Sequence, residues 1–177
     1  VQVILDERGH PAALKRRERL QSHRLIEEFM LIANETVARH AGVELAARLP
    51  EAPPFVYRIH EKPEREEVVG LLELLGLFGI VQELPKKITP HYFQKLAGAI
   101  RRHPANVVLQ DALLRTMMKA RYSMENLGHF GLAYSHYTHF TSPIRRYPDL
   151  MVHRLLKGYS AGRSAAEMEP LTGRLAE

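Results

Sequence analysis

The stretch Gly128–Leu156, GHFGLAYSHYTHFTSPIRRYPDLMVHRLL, carries most of the chemistry in this chain. It sets tyrosine, phenylalanine and histidine rings close to an arginine pair, Arg145 and Arg146. Arginine offers a rigid fork of N–H donors that matches phosphate oxygens, and aromatic rings offer faces on which bases stack. This mixture is poorly suited to a buried core. It predicts a surface loop that binds a single strand of nucleic acid.

A short apolar helix is predicted to follow this loop. Pro148 suits the first turn of a helix, and apolar residues then recur up to a stop at Gly158. The polar loop is therefore expected to rest on a packed element, which a binding site needs if its side chains are to be held in place.

The same stretch resembles the signature of the ribonuclease R and ribonuclease II family of 3′→5′ exoribonucleases, and the ribonuclease R version in particular. The resemblance is carried by HFTSPIRRYPDLMVHRLL with GHFGLA just before it. Three upstream segments extend it in the family's order: SHRLIEEFMLIANETVA (Ser22–Ala38), FVYRIHEKP (Phe55–Pro63) and LLRTMMKARYS (Leu113–Ser123). The resemblance covers most of the chain but only the second half of the family's catalytic domain.

This resemblance implies an α+β fold, the mainly helical half of a ribonuclease II-type catalytic domain with a few short strands. Residues 1–177 are then the C-terminal part of that domain. The metal-binding half would precede Val1, and the family's cold-shock-like and S1-like RNA-binding domains would lie outside this chain. A length of 177 residues with 45% hydrophobic residues is compatible with one globular domain that buries a core.

The acidic residues argue against a metal site within the chain. Of the 20 acidic residues only Asp6, Asp111 and Asp149 are aspartates, and they lie far apart in sequence. Hydrolysis of a phosphodiester with Mg²⁺ needs several hard oxygen ligands that converge on the metal. No metal ligand is predicted here, and the resemblance implies that the family's Mg²⁺ is held by aspartates upstream of this chain.

Two other kinds of site were considered in the same loop. His136 and His139 could hold zinc from one face of a helix, but Pro143 is close and there is no obvious third ligand. Ser135 and Ser142 could act as nucleophiles, although serine and histidine a few residues apart are common by chance. Both alternatives are disfavoured.

Composition limits the partners and the compartment. The net charge of +5 favours a polyanionic partner, but such an excess is also common in ordinary proteins. The basic segment from Lys15 to Arg19 is either a solvated face or a contact with phosphates. No apolar run approaches the ~20 residues of a membrane helix, and without cysteine there are no disulfides or thiolate sites. A monomeric, cytoplasmic protein without membrane contact is expected.

Apolar spacing and helix-end signals predict the remaining elements. The predicted elements are a strand at Val1–Leu5, a long, well-buried helix from about Leu20 to Ala41, a strand at Phe55–Ile59, a helix from near Pro63 to Gly76, a helix that Thr89 caps and Pro104 ends, a helix from Val107 to about Tyr122, and a terminal helix with a capping box at Ser164–Glu167.

The resemblance assigns roles to single residues. Arg145 matches the family's arginine that reaches into the active site and contacts the phosphate being cut, although an ion pair with Asp149 is the plain alternative. The other expected RNA contacts are Glu28, Asn34, Tyr134, Tyr137, His139, Phe140, Thr141, Ser142 and Arg146. The implied function is a 3′→5′ exoribonuclease that degrades single-stranded RNA hydrolytically to nucleoside monophosphates, with this chain inactive by itself. The alternative is a non-catalytic RNA-binding or scaffolding module.

Overall fold

The protein, as a computed structural model that describes residues 2–15 and 18–172, is mainly helical with two small antiparallel sheets. The predicted α+β, mainly helical fold class is therefore confirmed. The chain divides into two compact units, Val1–Ala33 and Asn34–Glu177, and the division falls within the long helix Gln21–Arg39 (α1). No helix of the described residues is long and apolar enough to cross a membrane.

The first unit begins with a β-hairpin. Strands β1 (Gln2–Leu5) and β2 (Pro11–Lys15) pair antiparallel, and the Asp6 side chain accepts two backbone N–H bonds from the turn, at 2.9 and 2.8 Å. The strand predicted at Val1–Leu5 is confirmed from Gln2 onward. Val1 and two members of the basic segment, Arg16 and Arg17, lie outside the described residues.

Helix α1 forms where the apolar spacing predicts it, but the expected burial of its first half is wrong. The apolar residues of that half are exposed, as is Ile32 just after it: Leu25, Ile26, Phe29 and Met30. The buried positions of α1 are Asn34 and Ala38, both in its second half. Helical spacing fixes which side chains share a face, but burial also needs a second element over that face.

A π-helix, His40–Leu45, continues α1 and leads into the short α2 (Ala46–Arg48). Gly42 lies where this π-helix approaches two rings. A Cβ at Gly42 would come 2.7 Å from a ring carbon of His136 and 2.9 Å from the hydroxyl of Tyr57. The close approach therefore requires a residue without a side chain.

A central core lies in the second unit, around a two-stranded sheet. Strand β3 (Tyr57–Ile59) pairs antiparallel with β4 (Arg121–Ser123). The helix predicted from Val107 to Tyr122 is therefore too long, because backbone pairing with β3 takes the last residues into a strand. The buried members of this core are Ala38, Ala41, Phe55, Val56, Tyr57, Ile59, Val152, Leu155, Tyr159 and Met168.

Three helices form a second core in the same unit: α3 (Arg65–Leu77), α4 (Pro90–Arg101) and α5 (Asn106–Thr116). They pack around Leu71, Leu75, Leu96, Ile100 and Leu109. The cap predicted for α4 is confirmed, because Thr89 Oγ1 accepts a hydrogen bond from the Tyr92 N–H at 3.2 Å.

The last two helices are α6 (Tyr147–Ser160) and α7 (Ala165–Thr172). The capping box predicted for α7 is confirmed: the Ser164 N–H donates to the Glu167 carboxylate at 2.8 Å, and the Glu167 N–H donates to Ser164 Oγ at 3.4 Å. Helix α6 does not stop at Gly158. That glycine lies inside the helix, where its missing side chain leaves room for Met168.

Candidate nucleic-acid interface

The segment Ser142–Arg146, hereafter the arginine loop, is closed by hydrogen bonds at both ends. The backbone N–H groups of Arg145 and Arg146 donate to the Ser142 carbonyl at 3.2 and 3.0 Å. Asp149, fully buried in the first turn of α6, accepts from the Ser142 N–H and from Arg146 Nη2, each at 2.8 Å. One carboxylate oxygen therefore ties the start of the loop to its end.

The two arginines of this loop have different surroundings. The Arg146 side chain is 24% exposed and forms an ion pair with the buried carboxylate of Asp149. Arg145 is exposed, and its guanidinium has no hydrogen-bond or ion-pair partner among residues 2–15 and 18–172. Its neighbour Ile144 is fully exposed. The ion pair considered for Arg145 is thus made by Arg146, and Arg145 projects from the loop.

Aromatic rings contact one another in the stretch that precedes the arginine loop. Tyr134 and Tyr137 are stacked with ring centroids 5.7 Å apart, and Tyr137 makes edge contacts with His129 and His139. Phe140 is stacked on His153 of α6 at 4.1 Å. The sequence-predicted rings therefore lie in two groups, one centred on Tyr137 and one formed by Phe140 with His153.

Asn34 of α1 is hydrogen-bonded to both groups of rings. Its side-chain amide donates to the Tyr137 hydroxyl at 3.1 Å and accepts from the Phe140 N–H at 2.9 Å. Asn34 and Tyr137 are only 3% and 5% exposed. Both residues lie at the predicted place, but in this structure they bind each other in the interior, so direct contact with RNA stays a prediction for them.

The other predicted RNA contacts are more open. Partly exposed side chains are those of Tyr134, His139, Phe140, Thr141, Ser142 and Arg146. Glu28 is exposed on the part of α1 that belongs to the first unit. Their contacts with RNA also stay predictions.

Burial lowers the pKa of two imidazoles in this region, those of His129 and His139. Desolvation, followed by the positive charge of the nearby Arg146, lowers the pKa of His139 to about 4. Desolvation and then the proximity of His60 lower the pKa of His129 to about 4 as well. These two imidazoles are therefore uncharged at pH 7 and add no positive charge to this surface.

The described residues do not fit a divalent metal site. Within residues 2–15 and 18–172 no three side chains of His, Cys, Asp or Glu come together as possible ligands. Two of the three aspartates are paired with arginines, Asp111 with Arg115 at 2.9 Å and Asp149 with Arg146, and Asp6 lies 3.5 Å from His10 Nδ1.

Three residues that shape the interface were not predicted from sequence as contributors to it. Asp149 is one of them, although its position three residues after Arg146 on a helix start was an available signal for a side-chain pair. His153 donates from Nε2 to the Phe140 carbonyl at 3.0 Å. Tyr122 lies with its hydroxyl 2.7 Å from His139 Nδ1, a contact between strand and loop that no local pattern indicates.

The RNB domain model matches residues 1–162. The chain belongs to the RNB domain family. Ribonuclease R of Aquifex aeolicus is 49% identical over 159 residues, which are 88% of this chain and 21% of that protein. The family indicated by the HFTSPIRRYPDL motif is therefore confirmed, and the chain spans about one fifth of the length of the curated RNB relatives it matches.

Solved structures of RNB proteins are also similar to the chain. Ribonuclease R of Mycoplasma genitalium, in complex with ribose-methylated single-stranded RNA, matches with a TM-score of 0.81 and 31% identity, over 98% of this chain and 27% of that one. Yeast Ssd1, described as a pseudonuclease, matches with a TM-score of 0.70 and 26% identity, over 90% of this chain and 19% of that one.

Proposed function

We propose that this RNB domain chain is the C-terminal part of the catalytic domain of a 3′→5′ exoribonuclease, which hydrolyses single-stranded RNA to nucleoside monophosphates. The similarity to ribonuclease R proteins supports the reaction class. The similarity to a structure that contains single-stranded RNA supports the substrate class. Cytoplasmic location and a monomeric state are expectations of the same proposal, which cell fractionation and sedimentation would test.

The observation that carries the proposal is the exposure of the Arg145 guanidinium. An exposed guanidinium without a partner among the described residues, at the tip of a loop whose ends are tied, is available for a phosphate group. Arginine offers a planar fork of donors that matches phosphate oxygens. In this proposal Arg145 contacts the phosphate being cut and stabilises the charge that develops on it.

The remaining residues of the interface would hold the RNA. The partly exposed rings of Tyr134, His139 and Phe140 provide faces and edges for bases, and stacking is worth roughly 1–3 kcal/mol per base. Thr141 and Ser142 offer hydroxyl groups beside them. Asn34 and Tyr137 would act by fixing the rings, because both are buried. Glu28 is proposed as a contact along the RNA path on the strength of the family resemblance alone.

Mg²⁺ is part of the proposed reaction, with ligands supplied by residues outside those described. The metal would activate water and stabilise the leaving oxygen. The arginine loop would position the phosphate for that chemistry. The chain by itself is accordingly expected to release no nucleotides from RNA.

The proposal is tested with Arg145→Ala in the full-length protein that contains these residues. An interaction made mainly in the transition state affects turnover more than binding. The rate of hydrolysis of bound RNA is expected to fall about 10²–10³-fold, with little change in RNA affinity, because many other contacts hold the backbone. Arg145→Lys is expected to restore only part of the rate, since it keeps the charge but loses the fork. Single-turnover assays and RNA titrations measure the two quantities.

The matched control is Arg115→Ala, which removes an exposed arginine from α5 and is expected to change neither quantity. If Arg145→Ala weakens RNA binding but leaves the rate of the bound complex unchanged, the assignment of Arg145 to the reaction is wrong.

The second candidate is a non-catalytic RNA-binding or scaffolding protein, favoured by the similarity to yeast Ssd1, a pseudonuclease. The full-length protein distinguishes the two. Release of mononucleotides from labelled RNA that chelation abolishes supports the exoribonuclease. RNA binding without hydrolysis under the same conditions supports the scaffold.

A further inference from the structure

Asp149 makes contacts with the arginine loop that helix stability alone does not explain. A carboxylate in the first turn of a helix is favourable through the helix dipole, and it needs no burial for that purpose. Asp149 is nevertheless fully buried, and its Oδ1 accepts both the Ser142 N–H and Arg146 Nη2 at 2.8 Å. The two donors come from the first and last residues of the loop.

The ion pair between Asp149 and Arg146 also lacks the bidentate geometry, which is the strongest arrangement of an arginine with a carboxylate. In a bidentate pair, two parallel N–H···O hydrogen bonds from the guanidinium would satisfy both carboxylate oxygens. Here Asp149 Oδ2 and Arg146 Nε are buried without a hydrogen-bond partner among the described residues. Such groups lower stability when they stay unpaired in the interior. The carboxylate is thus oriented towards the backbone at Ser142 at the expense of the ion pair.

Arg145 depends on this arrangement because nothing else among the described residues holds its side chain. Its guanidinium has no partner there, so its direction is set by the loop backbone. The backbone has two ties: the internal bonds to the Ser142 carbonyl, and the bonds from Ser142 and Arg146 to Asp149. Removing the second tie frees the loop while the arginine remains chemically intact.

We propose that Asp149 is a positioning residue, which holds the arginine loop so that Arg145 faces the phosphate. This inference rests on the proposed function of Arg145. Asp149 does not touch RNA; it acts through the loop. A misplacement of about 1 Å in a catalytic group can cost as much as 10²-fold in rate.

A double-mutant cycle in the full-length protein tests the inference, with the single-turnover rate of bound RNA as the readout. Asp149→Asn keeps the size and an acceptor oxygen but removes the charge that holds Arg146. It is expected to lower the rate about 10–100-fold, with little change in RNA affinity. In the Arg145→Ala background the same substitution is expected to have no further effect, because there is no guanidinium left to position.

The control is Asp111→Asn, since Asp111 is also paired with an arginine on a helix but is 59% exposed. It is expected to leave the rate unchanged in both backgrounds. If Asp149→Asn unfolds the protein, Arg146→Lys replaces it in the cycle, because an ammonium keeps the charge and loses the fork.

The cycle separates two kinds of failure. If Arg145→Ala leaves the rate unchanged, the proposed function of Arg145 is wrong. The other failure appears when Arg145→Ala does lower the rate. If Asp149→Asn or Arg146→Lys then lowers the rate by the same factor with and without Arg145, Asp149 does not act through Arg145. The positioning role is then overturned. A loss of the same size in both backgrounds is what a purely structural aspartate would give.

Discussion

Arg145 and Arg146 carry the same side chain one residue apart, and their surroundings give them different roles. Arg146 neutralises a buried carboxylate, whereas Arg145 is exposed at the loop surface. Breaking a buried pair by removal of one partner leaves an uncompensated charge in the interior, and this costs more than the pair itself contributes.

Arg146→Ala is therefore expected to lower the free energy of unfolding by about 3 kcal/mol. This value is at the lower end of the range for breaking a buried ion pair, because Arg146 is partly exposed. Arg145→Ala is expected to change it by no more than about 0.5 kcal/mol, as is usual for surface substitutions. Urea denaturation of the purified chain measures both. Equal stabilities for the two variants would show that Asp149 does not need its partner.

The roles of single residues depend on the course of the backbone as well as on the sequence. The motif that contains Arg145 and Arg146 is visible in the sequence, and so is the family resemblance that rests on it. Which of the two arginines would pair with Asp149 was not visible, because the choice depends on the course of the loop backbone. The burial of Tyr137 was equally hidden, since an aromatic residue in a polar loop can face either way.

Among the helices and loops, residues 34–39 of α1 are joined to the segment Tyr137–Phe140 by the side chain of Asn34. This amide binds two groups that are distant in sequence, the Tyr137 hydroxyl and the Phe140 N–H. Removal of a buried partner leaves the remaining groups unsatisfied and costs about 1–3 kcal/mol.

Asn34→Ala is expected to lower the free energy of unfolding by about 1–3 kcal/mol and to increase the mobility of the loop. Thr36→Ala, at an exposed position of the same helix, is the control and is expected to stay within about 0.5 kcal/mol of the unchanged chain. Urea denaturation and hydrogen exchange at the Phe140 amide report the two effects. Unchanged protection of this amide in Asn34→Ala would contradict the proposed tie.

Local sequence signals predict helix caps correctly. They do not predict contacts between segments that are distant in the sequence. Thr89 and the pair Ser164 and Glu167 act on backbone groups within a few residues, so their sequence pattern is sufficient. Strand β4 was missed because Arg121–Ser123 is extended through pairing with β3, far away in the sequence. The exposure of Phe29 was missed because a helical stripe does not say what covers it.

At the scale of the whole molecule, two histidines make stability depend on pH. The pKa of His129 and of His139 is lowered from 6.5 to about 4 in the folded protein, chiefly by burial. Between these values the unfolded chain takes up protons that the folded chain excludes. Stability from this source is complete above pH 6.5 and is lost as pH falls towards 4.

The melting temperature of the chain is therefore expected to fall between pH 6.5 and 4. Each histidine contributes on the order of 1 kcal/mol once partial exposure is allowed for. A double variant, His129→Asn with His139→Asn, is expected to flatten the slope, whereas His91→Asn, at an exposed position of α4, is the control. Thermal unfolding at several pH values measures the slope. A slope that survives in the double variant would assign the effect to other groups.

The π-helix His40–Leu45 is a place where the chain can lose one residue without changing the orientation of later side chains. Each turn of a π-helix contains about one residue more than a turn of α-helix. Loss of one residue elsewhere in α1 would rotate all later side chains by roughly 100° around the axis. Within residues 40–45 the same loss can be absorbed by a return to α-helix, at the cost of the fit between Gly42, His136 and Tyr57. Single-residue deletions in related sequences are therefore expected to collect in this segment.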